Sequence, residues 1–198
     1  SIGEAPQDKK YNDEDTKLII GNNNTIREFC TINRGTIQDK GETFIGHNNW
    51  IMAYVHIAHD CIINNDCILA NASNIAGHVE IDDFAILGGF TGVHQFCKIG
   101  AHVITAVGTV VYKDIPPYII AASADSHTRP NGINIEGLRR RGFSKEAING
   151  IKKGYKIIYR EGNSIDEAVN QLKVLAEDVT ETHLYIDFIS KSQRGLVR

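Results

Sequence analysis

Two imidazoles and a carboxylate crowd into five residues at His56-Ile57-Ala58-His59-Asp60, and six of the eight histidines fall between positions 47 and 102. A histidine beside a carboxylate is the pairing that general-base chemistry needs. Imidazole titrates near neutrality, and the carboxylate selects which ring nitrogen carries the proton. Three readings are open for these residues. Histidines at turns can be solvated and idle, three imidazoles can hold zinc, or His59 can take a proton from a hydroxyl. In the third case Asp60 orients the ring, and a backbone N–H, of which Gly77 is the candidate, stabilises an oxyanion. Choosing among them requires knowing which residues meet in space, and therefore what element carries them.

The composition points to that element. The chain has 29 Ile against 8 Leu, the reverse of ordinary usage, and β-branched residues favour extended backbone. Every sixth residue from Ile45 is aliphatic through Ile51, Ile57, Ile63, Leu69, Ile75, Ile81, Leu87, Val93 and Ile99 to Val111, with Thr105 the one exception. Ile20, Ile26 and Ile32 share the period before a phase break, and Ile2 precedes them. A six-residue period fits neither an α-helix nor a simple strand; it is the mark of a hexapeptide β-helix, each unit forming one face of a triangular coil. Residues 5–17 and 33–44 read as loops ejected from the coil. The Asn22-Asn23, Asn48-Asn49, Asn64-Asn65 and Asp82-Asp83 pairs suit its turns. Pro is absent between residues 7 and 115, as continuous backbone pairing requires.

Three faces per turn place residues eighteen apart in register. Gly77 then lies one coil above His59 and Gln95 two above, His78 lies over Asp60, and His94 lies over Ala58 and Ala76. His56, His59, Asp60, Gly77, His78, His94 and Gln95 are expected on one edge. That clustering disfavours idle histidines, and the adjacent Asp60 favours an acid–base pair over a metal, so no metal is expected. Cys30, Cys61, Cys67 and Cys97 all fall four residues after a ladder position, in a slot shared with Val55, Ser73, Val79, Ala85, Thr91 and Thr109. They read as small core residues rather than ligands or nucleophiles.

The pattern ends at Pro116-Pro117, dividing a coil over 1–117 from a helical domain over 118–198. Ser144 is a candidate cap for a helix with Ile148, Ile151, Tyr155 and Ile158 on one face. Ser164 and Glu167 form a capping-box pair ahead of Ile165, Val169, Leu172 and Leu175. A third helix carries Leu184, Phe188 and Ile189. The expected class is mainly β: a left-handed parallel β-helix followed by a small α-helical domain. A formal net charge of −3 argues against a nucleic-acid binder. No apolar run is long enough to span a membrane, and four cysteines with no secretory signal point to a reducing cytoplasm.

The segments HIAHDC, AGHV, HQFC, NIEGLRRRGFS and the closing RGLVR resemble the UDP-N-acetylglucosamine O-acyltransferases, enzymes of the first step of lipid A synthesis in Gram-negative-type bacteria. The likeness runs end to end, although members of that family begin with several more coils, so Ser1 reads as an internal start. The resemblance implies transfer of an (R)-3-hydroxyacyl group from acyl carrier protein to the 3-hydroxyl of UDP-N-acetylglucosamine. It implies no bound cofactor, the acyl group arriving on the carrier's phosphopantetheine arm. By analogy His59 is the base, Asp60 its orienting partner and the Gly77 amide the oxyanion donor. Gln7, Asp8, Lys10, His56, His78, His94 and Gln95 match substrate-contacting positions, and Asn134, Glu136, Arg140 and Arg141 match residues that grip the nucleotide. Val107 matches the position that limits acyl length, where a relative has Gly. Asn33 stands where many relatives place His, so that position cannot titrate here. The family is homotrimeric and its carrier protein is acidic, which makes Arg139, Lys145, Lys152, Lys153 and Lys156 candidate docking contacts. Two other classes compete: a metal-dependent hydratase on the same coil, and a non-catalytic trimeric scaffold.

Overall fold

The computed structural model describes residues 1–124 and 127–198. Three parallel sheets wind into a left-handed coil. The first holds Ile2–Glu4, Thr31–Asn33, His56–Ile57, Asn74–Ile75, Gly92–Val93 and Val110–Val111; the second runs from Lys17–Ile20 through Glu42–Ile45 to Lys98–Ile99. The third runs from Thr25–Ile26 to Ile104–Thr105 and continues into Ile119–Ala124, against which His127–Ile133 pairs antiparallel. The turn from coil to helices is therefore gradual: sheet pairing passes beyond Pro117, and the first helix begins only at Ile135.

The aliphatic ladder is the core. Ile45, Ile51, Ile57, Ile63, Leu69, Ile75, Ile81, Leu87 and Ile99 are fully buried, each contributing roughly 1.5–3 kcal/mol on removal from water. Thr105 joins them without an unpaired hydroxyl, since its Oγ1 accepts from the Gly88 amide and pairs with Thr91 Oγ1. Ile2 stacks on Ile32 rather than Ile20 because the ejected loop intervenes. The loops are shorter than their sequence limits, for Lys17 and residues 42–44 are already strand and Asn33 is buried within one.

Each corner carries a left-handed residue three positions after the ladder: Asn48, Tyr54, Asp60, Asp66, Ala72, His78, Phe84, Phe90, Phe96 and His102 all have positive φ. The Asn-Asn and Asp-Asp pairs thus supply only part of the turns. Side chains at this position stack between coils, as His78 does on Phe96 at 4.4 Å between centroids and Phe84 on His102 at 5.0 Å. The four cysteines are free and buried, and burial pushes the thiols of Cys61, Cys67 and Cys97 up to about 12.

Helix α1 (Ile135–Arg140) was legible only as a motif, not as a helix. Helix α2 (Lys145–Tyr159) is capped by Ser144 and buries Ile148, Ile151, Tyr155 and Ile158. Helix α3 (Ile165–Asp178) starts with the Ser164–Glu167 capping box. Helix α4 (His183–Lys191) buries Tyr185, Phe188 and Ile189 but turns Leu184 outward.

Candidate active site

At the corner between the first and second sheets, the left-handed turn at Asp60 points its carboxylate inward, where its side chain is fully buried. Thr36, from the second ejected loop, donates its amide to Asp60 Oδ1 at 2.8 Å and its hydroxyl to Oδ2 at 2.6 Å. His59 Nδ1 lies 2.8 Å from the same Oδ2. Burial alone would raise this carboxyl's pKa, but the hydrogen bonds from His59 and Thr36, with the His78 charge, hold it below its ordinary value. An ionised carboxylate only accepts, so Nδ1 of His59 carries the proton and Nε2 presents a lone pair. That is the tautomer a general base requires.

The next coil supplies the floor. A Cβ on Gly77 would stand 2.7 Å from His59 Cε1 and 2.9 Å from Nε2, so the ring packs directly on this glycine. Gly77 is buried, yet its amide donates to no acceptor among the described residues. His78 sits over Asp60 with Nε2 3.8 Å from Oδ2, and its Nδ1 donates to Asp39 at 2.9 Å. Gln95 and Phe96 follow one coil further. The ejected loops close the sides: Gln7, Asp8 and Lys10 from the first, Thr36 and Asp39 from the second, around a cleft of about 830 Å³ that also exposes His59, His78 and Gln95.

His56 and His94 do not converge on this corner. Their outward position on the flat first sheet places them beside it, along an apolar groove of about 380 Å³ with Gly92, Val93, Val110 and Tyr112. Burial, then the His59 charge, lowers the pKa of His56, whose Nδ1 pairs with Thr31 Oγ1 at 2.7 Å. Val107 is 75% exposed and does not line the groove of its own chain. Asn33 is a buried hook: its Nδ2 donates to Ala5 O at 2.9 Å and so tethers the loop that carries Gln7, Asp8 and Lys10.

The four predicted nucleotide residues lie elsewhere on the prism. Asn134 caps α1 through Gly137 and donates to His102 O, so its side chain is occupied as a support. Arg141 lies over the Phe84 ring and donates to Phe84 O. Both anchor at the corner between the second and third sheets, one face away from His59. Glu136 is exposed and pairs with Arg139, and Arg140 is exposed.

His59, Asp60 and His78 have ligand atoms within 4.8 Å of one another and form a possible metal cluster. An ion there would have to part His59 Nδ1 from Asp60 and compete with both Thr36 donors, so the donor set fits a hydrogen-bonded base better than a metal. Sequence reasoning missed Thr36 and Asp39, which nothing in a hexapeptide pattern signals because they belong to an ejected loop. It also missed Gln193, which lines the cleft, and Arg194, which reaches His94 from the far end of the chain.

Comparisons with known proteins agree with this fold. The family model of UDP N-acetylglucosamine O-acyltransferase domain 2 matches residues 114–197, and that of the bacterial transferase hexapeptide matches residues 42–77. An acyl-[acyl-carrier-protein]–UDP-N-acetylglucosamine O-acyltransferase from Thiobacillus denitrificans is 57% identical over the full chain, which covers 76% of that relative. The UDP-N-acetylglucosamine acyltransferase structure from Francisella novicida superposes with a TM-score of 0.97 at 44% identity, over 100% of this chain and 72% of that one. The UDP-N-acetylglucosamine O-acyltransferase structure from Moraxella catarrhalis gives 0.97 at 45%, over 100% and 76%. With the coil, the His59–Asp60 corner and these likenesses together, the chain belongs to the UDP-N-acetylglucosamine O-acyltransferase family.

Proposed function

We propose that the chain transfers an (R)-3-hydroxyacyl group from acyl carrier protein to the 3-hydroxyl of UDP-N-acetylglucosamine, the opening step of lipid A synthesis. The observation that carries this reading is the His59 ring, held by Asp60 at 2.8 Å and packed against a buried glycine whose amide has no acceptor among the described residues. His59 Nε2 accepts the proton of the sugar hydroxyl as its oxygen attacks the thioester carbonyl. The resulting tetrahedral oxyanion is stabilised by the Gly77 N–H. Collapse breaks the carbon–sulfur bond, and the proton on His59 passes to the departing thiolate, so the ester and the free carrier thiol leave with the base regenerated. A positioned base contributes about 10²–10⁴-fold and an oxyanion donor about 10²–10³-fold.

Gln7, Asp8, Lys10, His78 and Gln95 hold the sugar end in the cleft, and the acyl chain follows the groove past His56 and His94. Glu136, Arg140 and Arg141 grip the nucleotide, Asn134 setting the helix that carries them. Because that helix lies one prism face from its own cleft, a neighbouring copy supplies it, in a homotrimer with a site between copies. An outward column of Trp50, Ile68, Ile86, Ile104 and Ile120 along the third sheet supports such self-association. Val107 acts on acyl length from the same neighbouring position. The acidic carrier docks on the exposed cations Arg139, Lys145, Lys152, Lys153 and Lys156. On this reading the chemistry needs no metal or bound cofactor, and the protein works in the cytoplasm beside its carrier.

The test is His59→Ala, assayed with hydroxyacyl carrier protein and the sugar nucleotide. Transfer is expected to fall by about 10³-fold while the oligomer, measured by sedimentation, stays intact. Wild-type transfer in this variant overturns the assignment of the base. Absence of transfer in the wild-type protein overturns the function and favours the scaffold, and stoichiometric zinc that activity requires favours the hydratase.

A further inference from the structure

The C-terminal tail is stitched to the coil by one buried carboxylate. Asp114, fully buried, accepts from the Lys98 amide through Oδ1, and from Ser192 Oγ and the amides of Gln193 and Arg194 through Oδ2. Its backbone pairs on both sides with the strand-like Gly195–Val197 segment. This latch delivers Arg194 onto the turn that carries His94 and Gln95. Arg194 Nη2 lies 2.7 Å from His94 Nδ1 and 3.2 Å from Gln95 O, and Nε lies 3.2 Å from the same carbonyl.

An arginine side chain only donates. His94 Nδ1 must therefore accept, and the ring proton sits on Nε2. The local backbone by itself favours the opposite tautomer, because Gln95 O stands 3.2 Å from His94 Nδ1 and would accept from an Nδ1–H. One guanidinium fork satisfies both of these adjacent acceptors at once, which a point charge or a neutral side chain cannot do equally well. We infer that Arg194 is a positioning residue that sets the tautomer of His94, making its Nε2–H a hydrogen-bond donor at the junction of the cleft and the apolar groove. Nε2 has no partner among the described residues, so this donor is left for an oxygen of the acyl donor. That last step rests on the transfer reaction proposed above; the tautomer does not.

Two readouts separate the claims. In histidine-labelled full-length protein, the ring ¹⁵N shifts of His94 are expected to report an Nε2–H, Nδ1-acceptor ring, and Arg194→Met is expected to move the proton to Nδ1. Arg194→Lys keeps a donor beside Nδ1 and should retain the wild-type pattern, which guards against a merely displaced tail. An unchanged His94 pattern in Arg194→Met overturns the inference whatever the enzyme's activity. In the transfer assay, Arg194→Met is expected to lower kcat/KM for the hydroxyacyl donor about tenfold, as losing one charge-assisted hydrogen bond implies. The same substitution in a His94→Gln background should cost nothing further. A full additional loss in that background shows that Arg194 acts other than through His94 and also overturns the inference.

Discussion

Gly77→Ala isolates the placement of the His59 ring without touching its chemistry. Gly77 does not occupy the left-handed region, so alanine fits the backbone, and the strain lies entirely in the added methyl. That methyl would stand 2.7 Å from Cε1, 2.9 Å from Nε2 and 3.2 Å from Nδ1 of His59. Carbon pairs settle at about 3.5–4.0 Å, so the ring must retreat by about 1 Å. It cannot retreat freely, because Nδ1 is tied at 2.8 Å to a carboxylate that Thr36 clamps through two further bonds. A misplacement of about 1 Å costs about 10²-fold in rate, and kcat of the variant is expected to fall by that factor. The assay is steady-state transfer with saturating substrates, read beside thermal melting. Gly89→Ala is the control: it changes the same turn position of another coil, where the nearest atom to the new methyl is Asn71 O at 3.4 Å, and it should leave kcat unchanged. A Gly77→Ala enzyme within about threefold of wild type would refute the claim that the floor of the site positions His59.

Asp60→Asn offers His59 Nδ1 an amide donor or a rotated carbonyl that disturbs both Thr36 bonds. Transfer should drop by about 10³–10⁴-fold through the wrong tautomer, and kinetics that match wild type would remove Asp60 from the mechanism. Because the Asp60 carboxyl titrates below its ordinary value, its share of stability is complete above about pH 4 and disappears as the pH falls further. Melting curves of Asp60→Asn should lack that acid limb. His102 is buried between Phe84 and Tyr118, and burial, then the Arg141 charge, lowers its pKa to about 4. An unfolded histidine takes up a proton below about pH 6.5 while the folded one does not, so the protein loses stability as pH falls from 6.5 toward 4, by about 2 kcal/mol at pH 5. His102→Phe should therefore raise the melting temperature at pH 5 and leave it unchanged at pH 8; equal shifts at both values would dismiss the titration. The native protein should resist iodoacetamide at pH 8, since Cys61, Cys67 and Cys97 are buried with thiols at about 12 and Cys30 is buried too. Four thiols should react on unfolding.

A period of six was enough to fix the inward face of every coil and the eighteen-residue stack. That placed Gly77 against the His59 ring and His78 over Asp60, and the small-residue slot explained the cysteines. It did so because a repeat that buries one side chain per face leaves the register no freedom. The sequence could not say which way outward residues face, so His56 and His94 were grouped with a corner they only adjoin. Nor could it show that Phe and Tyr residues take the left-handed position at the corners against local preference, where Phe29 stacks on Tyr54, Phe96 on His78 and Phe84 on His102.

What the chain's sequence determined alone was the coil, the polarity of its faces and the stacking of His59, Asp60, Gly77 and His78, since each follows from local spacing repeated along one axis. What only the tertiary structure decided was everything that arrives from a distance. Thr36 clamps Asp60, Asn33 tethers the loop of Gln7 and Lys10, α1 sits at another corner, and Arg194 reaches His94 across 100 residues. Ejected loops and a tail fixed by one buried aspartate have no period, and their positions come from specific hydrogen bonds that appear only when the chain is closed on itself.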